Sequence, residues 1–218
     1  KGSCIAYLEA IYRAQGYRVG AYTSPHILKY NERIRIAGES VADDIICQAF
    51  DRIDAARNDV SLSYFEFGTL AALDIFWRSD LDIQLLEVGL GGRLDAVNII
   101  DSDVSLITSI CIDHVDWLGE TREAIGYEKA GIFRENISAI IGDINPPESL
   151  SEQAAKTHTP LFKINKDFSF QHKENYWDWR CLSNKQASYQ SLPEPALKGE
   201  HQFRNAASVL MAVTEMQN

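Results

Sequence analysis

DIQLLEVGLGGRLD, residues 82–95, decides how this chain folds. Its first half is an apolar run bounded by Asp and Gly, the pattern of a strand buried on both faces in a parallel sheet. A carboxylate, Glu87, closes the strand, and a glycine-rich turn follows. Ligands of open α/β sheets gather at the carboxyl ends of strands, so Glu87 is placed to meet a ligand or metal; a simple loop cap is the alternative. The glycines look like a dinucleotide fingerprint, but Arg93 follows and no helix pattern opens there, which argues against that use. DVSLITSI, residues 103–110, repeats the geometry and ends in Asp113-His114-Val115-Asp116, again suited to metal or phosphate work.

The neighbouring segments alternate between strand and helix. A helix over about residues 4–15 stops at Gly16, a residue suited to the position after a helix end. Residues 17–22 alternate as a strand, and Ile34-Arg35-Ile36 is a short extended piece. Ser40 and Asp43 resemble a capping box opening a helix through Arg57. YFEFGTLAALDIFW predicts a largely buried helix, TREAIGYEKAGIF another, SAIIG a strand, ESLSEQAAKTH a helix and PLFKI a strand. Such alternation calls for an α/β fold, a mostly parallel sheet flanked by helices. After about residue 167, FSFQ, YWDWRCLS and ASYQS predict a small antiparallel segment, and a helix from about Phe203 to Met216 closes the chain.

The 218 residues are 45% hydrophobic and 24% charged, enough for a sizeable core in one large domain or one with a small insertion. A net charge of −10 with no basic cluster argues against a nucleic-acid surface but not against an anionic ligand, which needs only local positive charge. Cys4, Cys47, Cys111 and Cys181 are scattered and predict free thiols in a reducing compartment. No apolar run reaches membrane-span length.

Lys1-Gly2-Ser3 precedes the first helix pattern. A Lys, a Gly and a hydroxyl at a helix N-terminus are the last elements of a phosphate-binding loop, although many helices simply begin with Gly-Ser. Lys129 lies between small and apolar residues, where desolvation would favour its neutral amine; a surface lysine paired with a neighbouring glutamate is the alternative. Asn205 is suited to cap the last helix or to contact a ligand.

YTSPH (22–26), NERI (31–34), YFEFGTLAAL (64–73), LEVGLGGRLDA (86–96), DHVDWLG (113–119) and EKAGIF (128–133) follow one another in an order that closely resembles the folylpolyglutamate synthase/dihydrofolate synthase family of the Mur-ligase superfamily. The resemblance covers nearly all of residues 1–140 and, more loosely, the NAA segment at 205–207. It implies a P-loop-type central ATPase domain over residues 1–218, cut within the phosphate loop and lacking a C-terminal ligase domain, and expected to be inactive alone. It implies a cytoplasmic, monomeric ligase using ATP and Mg2+ to join L-glutamate to dihydropteroate and reduced folates through an acyl phosphate, with no nucleic-acid or membrane partner. Lys1, Gly2, Ser3 and Asn205 match nucleotide-binding positions. Ser24, Glu87 and His114 match magnesium-binding positions, and Lys129 a lysine that the family carbamylates. His114 and Lys129 are the expected catalytic pair. Ser63, Tyr64, Phe65 and Glu66, with Leu94, Asp95 and Ala96, match pterin-binding segments. Val97, Tyr127 and Val115 depart from the family pattern without removing a ligand. The alternatives are another Mur-type amide ligase, which the SYFE and LDA segments argue against, and a P-loop nucleotide-binding module without ligase activity. A GTPase is disfavoured because no NKxD signature is present.

Overall fold

The computed structural model describes residues 1–183 and 187–217. They form two compact units: residues 1–90 with 95–99, and residues 91–94 with the chain from 100 onward.

The first unit contains α1 (Gly2–Ala14), β1 (Val19–Tyr22), β2 (Ile34–Ile36), β3 (Glu39–Ser40), α2 (Asp43–Arg57), α3 (Tyr64–Trp77) and β4 (Ile83–Leu86). The sheet runs β3-β2-β1-β4, with β1 parallel to β4 and antiparallel to β2. The extended piece at Ile34–Ile36 is thus the first arm of a hairpin. Ala37 and Gly38, both at positive φ, join it to β3, as a two-residue hairpin turn requires. All four residues of β1 are buried, so both faces of the sheet are covered. Tyr22, Ile34, Ile46, Ala49, Ala72, Ile75 and Phe76 join β1 and β2 to α2 and α3 in one core, while α1 packs on β1 and β4.

The capping box expected at Ser40 and Asp43 does not form. Ser40 is drawn into β3, Ala42 precedes the helix, and the Asp43 carboxylate accepts the Asn31 amide at 2.7 Å. Deeper in the unit, Asp74 on α3 receives Arg52 of α2 at 2.9 Å and Arg78 at 3.0 Å. Arg52 first, then Arg78, holds its carboxyl below the usual range. The folded state therefore releases this proton more readily than the unfolded chain, whose carboxyl titrates near ~3.9. The resulting stability is present above that value and is lost as pH falls through the lower, folded pKa. Asp74→Asn is expected to cost about 1 kcal/mol at neutral pH, discounted for the solvated arginines, and to flatten the acid limb of a urea-midpoint-versus-pH curve.

The second unit contains β5 (Ser105–Ile107), α4 (Val115–Leu118), α5 (Arg122–Ala130), β6 (Ala139–Ile141), α6 (Glu148–Thr157), β7 (Leu161–Lys163), β8 (Phe168–His172), β9 (Tyr176–Cys181), β10 (Ser188–Pro193) and α7 (Glu200–Met216). β5, β6 and β7 form a parallel sheet, and β10, β9 and β8 an antiparallel one, as the change of texture near residue 167 predicts. Ala139, Ile140 and Ile141 are fully buried, consistent with a strand covered on both faces. The Trp179 indole donates to Ala207 O at 3.0 Å, tying β9 to α7. The last helix starts at Glu200, three residues before the predicted start, so Asn205 lies inside it and does not cap it. None of the four cysteines is joined in a disulfide, and among the described residues no helix is long and apolar enough to cross a membrane.

Candidate active site

Glu87 follows β4 directly. Its N–H donates to Tyr22 O at 2.9 Å, which continues the β1–β4 ladder by one residue and fixes where the side chain leaves the sheet. The residue is only 7% exposed. Its carboxylate lies at the N-terminus of α1, where a Cβ added to Gly2 would be 3.8 Å from Oε2. The Ser24 amide donates to the same carboxylate. Lys1 Nζ donates to Val88 O at 2.6 Å and to Gly89 O at 2.9 Å, so the turn after Glu87 is bound to the residue that opens α1. Gly2 and Ser3 form the first turn of that helix. The structure thus joins Lys1, Gly2, Ser24 and Glu87, from three separate sequence motifs, at the carboxyl ends of two parallel strands.

Burial dominates the electrostatics. Desolvation raises the Glu87 carboxyl above its usual range, and the opposing pull of Lys1, the Ser24 amide and Arg35 does not cancel it. A buried carboxylate whose surroundings do not offset its desolvation suits a cation. Among the described residues no three His, Cys, Asp or Glu side chains cluster as a metal cage. A carboxylate and a serine hydroxyl are oxygen donors of the kind that Mg2+ takes, where Zn2+ prefers nitrogen and sulfur. Cys4, one turn into α1, takes no part; burial pushes its thiol up to about 11, far from a reactive thiolate.

His114, Lys129 and Asn205 all belong to the second unit. His114 precedes α4 in a left-handed conformation, φ 51°, with an exposed side chain whose Nε2 lies 3.7 Å from Asp113. Lys129 is half-buried in the last turn of α5. The Asn205 amide donates to Gln202 Oε1 within α7 at 3.3 Å. The glycine-rich turn meets α5 closely. Arg93 N donates to Glu128 O at 2.8 Å, its guanidinium pairs with the Glu128 carboxylate at 2.9 Å, and a Cβ on Gly92 would sit 2.7 Å from Glu128 O. The GGR and EKAG motifs are therefore two sides of one backbone contact, a reason for them to occur together that spacing does not reveal.

The segments expected to hold substrate are each fixed by bonds of their own. Ser63 caps α3 by accepting Glu66 N at 3.3 Å, and the Glu66 carboxylate accepts Ser63 N at 2.7 Å. Phe65 stacks on Tyr22 at 6.1 Å, and Tyr64 is 66% exposed, with Arg33 5.6 Å from its ring. Asp95 accepts Leu90 N and Val97 N, both at 2.9 Å, so its carboxylate closes its own turn, and Ala96 begins a 3-10 turn that follows. Leu94 is exposed. Spacing gives no sign that Glu9, Glu32, Arg33 and Arg35 are linked by hydrogen bonds to the turn that carries Ser24. The NERI motif, with charges alternating into a short strand, was the only available signal.

No protein-family model matches the chain. Dihydrofolate synthase/folylpolyglutamate synthase of Haemophilus influenzae is 46% identical over 213 residues, and that of Escherichia coli 42%; each match covers 98% of this chain but only 47% and 49% of the relative. Among solved structures, Escherichia coli FolC in complex with DHPP and ADP superposes with a TM-score of 0.93 at 41% identity, over 98% of this chain and 50% of that one. The Yersinia pestis bifunctional enzyme complexed with AMPPNP and Mn ion gives 0.93 at 44%, over 100% and 51%. The chain thus spans about half the length of the relatives it matches, and over that half it is similar to the dihydrofolate synthase/folylpolyglutamate synthases in both sequence and fold.

Proposed function

We propose that this chain supplies the nucleotide- and metal-binding part of an ATP-dependent ligase that joins L-glutamate to dihydropteroate and to reduced folates. A carboxylate is a poor electrophile. Transfer of the γ-phosphoryl group of ATP to it gives an acyl phosphate and ADP; the glutamate amine then attacks the carbonyl, and phosphate leaves as the amide forms. What supports the reading, beyond that similarity, is the buried Glu87 carboxylate beside the Ser24 amide at the N-terminus of α1. When bound there, Mg2+ would neutralise the β- and γ-phosphate oxygens so that an anionic substrate can approach. Lys1, Gly2, Ser3 and Asn205 are assigned to the nucleotide, Ser24, Glu87 and His114 to the metal, and residues 63–66 and 94–96 to the pterin. The proposed domain is a single ATPase domain over residues 1–218, in a cytoplasmic, monomeric enzyme. The deciding measurement is ADP release by a ligase containing this sequence, with dihydropteroate or tetrahydrofolate, with and without glutamate. Turnover that requires glutamate is expected; its absence with both pterins would defeat the folate assignment.

Lys129 is assigned a carbamate, which would turn a half-buried cation into an anionic oxygen donor. Capture of CO2 requires the neutral amine and releases a proton as the N–C bond forms. In 13C-bicarbonate, a carbamate resonance is expected from the native protein and not from Lys129→Ala. An identical spectrum from both would remove the modification from the scheme.

A further inference from the structure

The NERI motif is the one conspicuous sequence feature without a role in the site, and the structure gives it one. The Glu32 carboxylate accepts three successive backbone amides: Ile27 N at 2.8 Å on Oε2, and Leu28 N at 2.8 Å and Lys29 N at 2.7 Å on Oε1. Its own carbonyl accepts Arg35 Nη1 at 3.2 Å and Thr23 Oγ1 at 3.3 Å. Arg35 is anchored in turn by the buried Glu9 of α1, at 2.9 Å, and also donates to Thr23 Oγ1. Thr23 N donates to Arg33 O at 2.8 Å. Ser24 therefore sits between a residue tied to Glu32 and Arg33 on one side and a turn tied to Glu32 on the other. Ile27 and Leu28 are 88% and 87% exposed, so apolar burial does little to hold this turn, and polar bonds must do so.

We infer that Glu32 is a positioning residue: through its carboxylate and its carbonyl it clamps the Thr23–Lys29 turn and so holds Ser24 against Glu87. This inference rests on the proposed reading of Ser24 and Glu87 as cation ligands. Outer groups that orient metal ligands characteristically control affinity without touching the metal.

The test compares three variants of a ligase carrying this sequence. Glu32→Gln keeps one acceptor oxygen and turns an NH2 toward an amide donor. Glu123→Gln removes the same chemistry at a remote place, where Glu123 accepts Glu148 N and Ser149 N at the start of α6. Ser24→Ala removes the proposed ligand itself. Two quantities are read: hydrogen exchange at Ile27, Leu28 and Lys29, and Mn2+ affinity by electron paramagnetic resonance in the presence of a non-hydrolysable ATP analogue. Glu32→Gln is expected to speed exchange at the three amides and weaken Mn2+ binding roughly tenfold, while Glu123→Gln leaves Mn2+ affinity unchanged. Unaltered exchange in Glu32→Gln overturns the inference. So does unaltered Mn2+ affinity when Ser24→Ala weakens it; unaltered affinity in both variants overturns the metal reading and the inference with it. If Glu32→Gln does not fold, Glu32→Asp, one methylene too short to reach all three amides, replaces it and is judged by the same outcomes.

Discussion

Glu87→Gln, introduced into a ligase carrying this sequence, is expected to lower kcat at saturating ATP and Mg2+ by at least about 10²-fold, since a catalytic metal contributes several kcal/mol of charge stabilisation. The metal-free protein should melt at or above the native temperature at neutral pH. The two effects have one cause. The carboxylate is buried, and burial raises its pKa against the pull of Lys1, the Ser24 amide and Arg35. A carboxyl whose folded pKa is raised costs the fold stability once pH exceeds the unfolded value, and a neutral amide of the same shape removes that cost. Any gain in melting temperature should therefore shrink as pH falls toward the carboxylate range. A loop cap would behave the other way, with stability lost and turnover kept. Enzyme assays paired with metal-free thermal melts separate the two.

Gly131→Ala should destabilise the second unit by about 1–3 kcal/mol or more, the range for overpacking a filled site. Gly131 follows α5 at an ordinary backbone angle, φ −63°, so conformational freedom is not the issue. Space is. A Cβ there would overlap Arg93 Cα and Cβ, which the Arg93 N to Glu128 O bond holds in place. Backbone cannot swing aside as the end of a long side chain can, so the turn, or the end of α5 with Lys129, must move. A fall in the denaturation midpoint is the expected result, and an unchanged midpoint would mean that the contact is loose. Gly2→Ala is a fitting control, because its nearest neighbour would be at an ordinary 3.8 Å.

The elements that local pattern predicts are those whose stabilising residues lie close in sequence. The β4 strand and α3 follow from continuous apolar runs of different length, and the β8–β10 meander from short alternating segments. The expected cap at Ser40 and Asp43 failed because each group found a stronger local partner, a hairpin strand for one and the Asn31 amide for the other. Asn205 missed the helix end because Gly199 permits α7 to begin earlier, at φ 116°. Residue type alone cannot choose between two feasible helix starts when both satisfy the same apolar face.

By itself the sequence determined the α/β class, the position of Glu87 at a strand end, the motifs that mark the family and the residues to suspect. Strand ends and helix caps are short-range features, and motif order is linear. Only the tertiary structure decided that Glu87 is buried beside the Ser24 amide, that Lys1 binds the carbonyls following it, and that Glu32, Arg35 and Glu9 hold the turn in between. It also showed that the glycines of GGR and EKAG serve a close backbone contact. Desolvation and cross-chain hydrogen bonds depend on groups many residues apart, such as Glu9 and Arg35 or Lys1 and Val88. No spacing rule encodes such a meeting; the sheet creates it by laying β1 beside β4 with α1 across them.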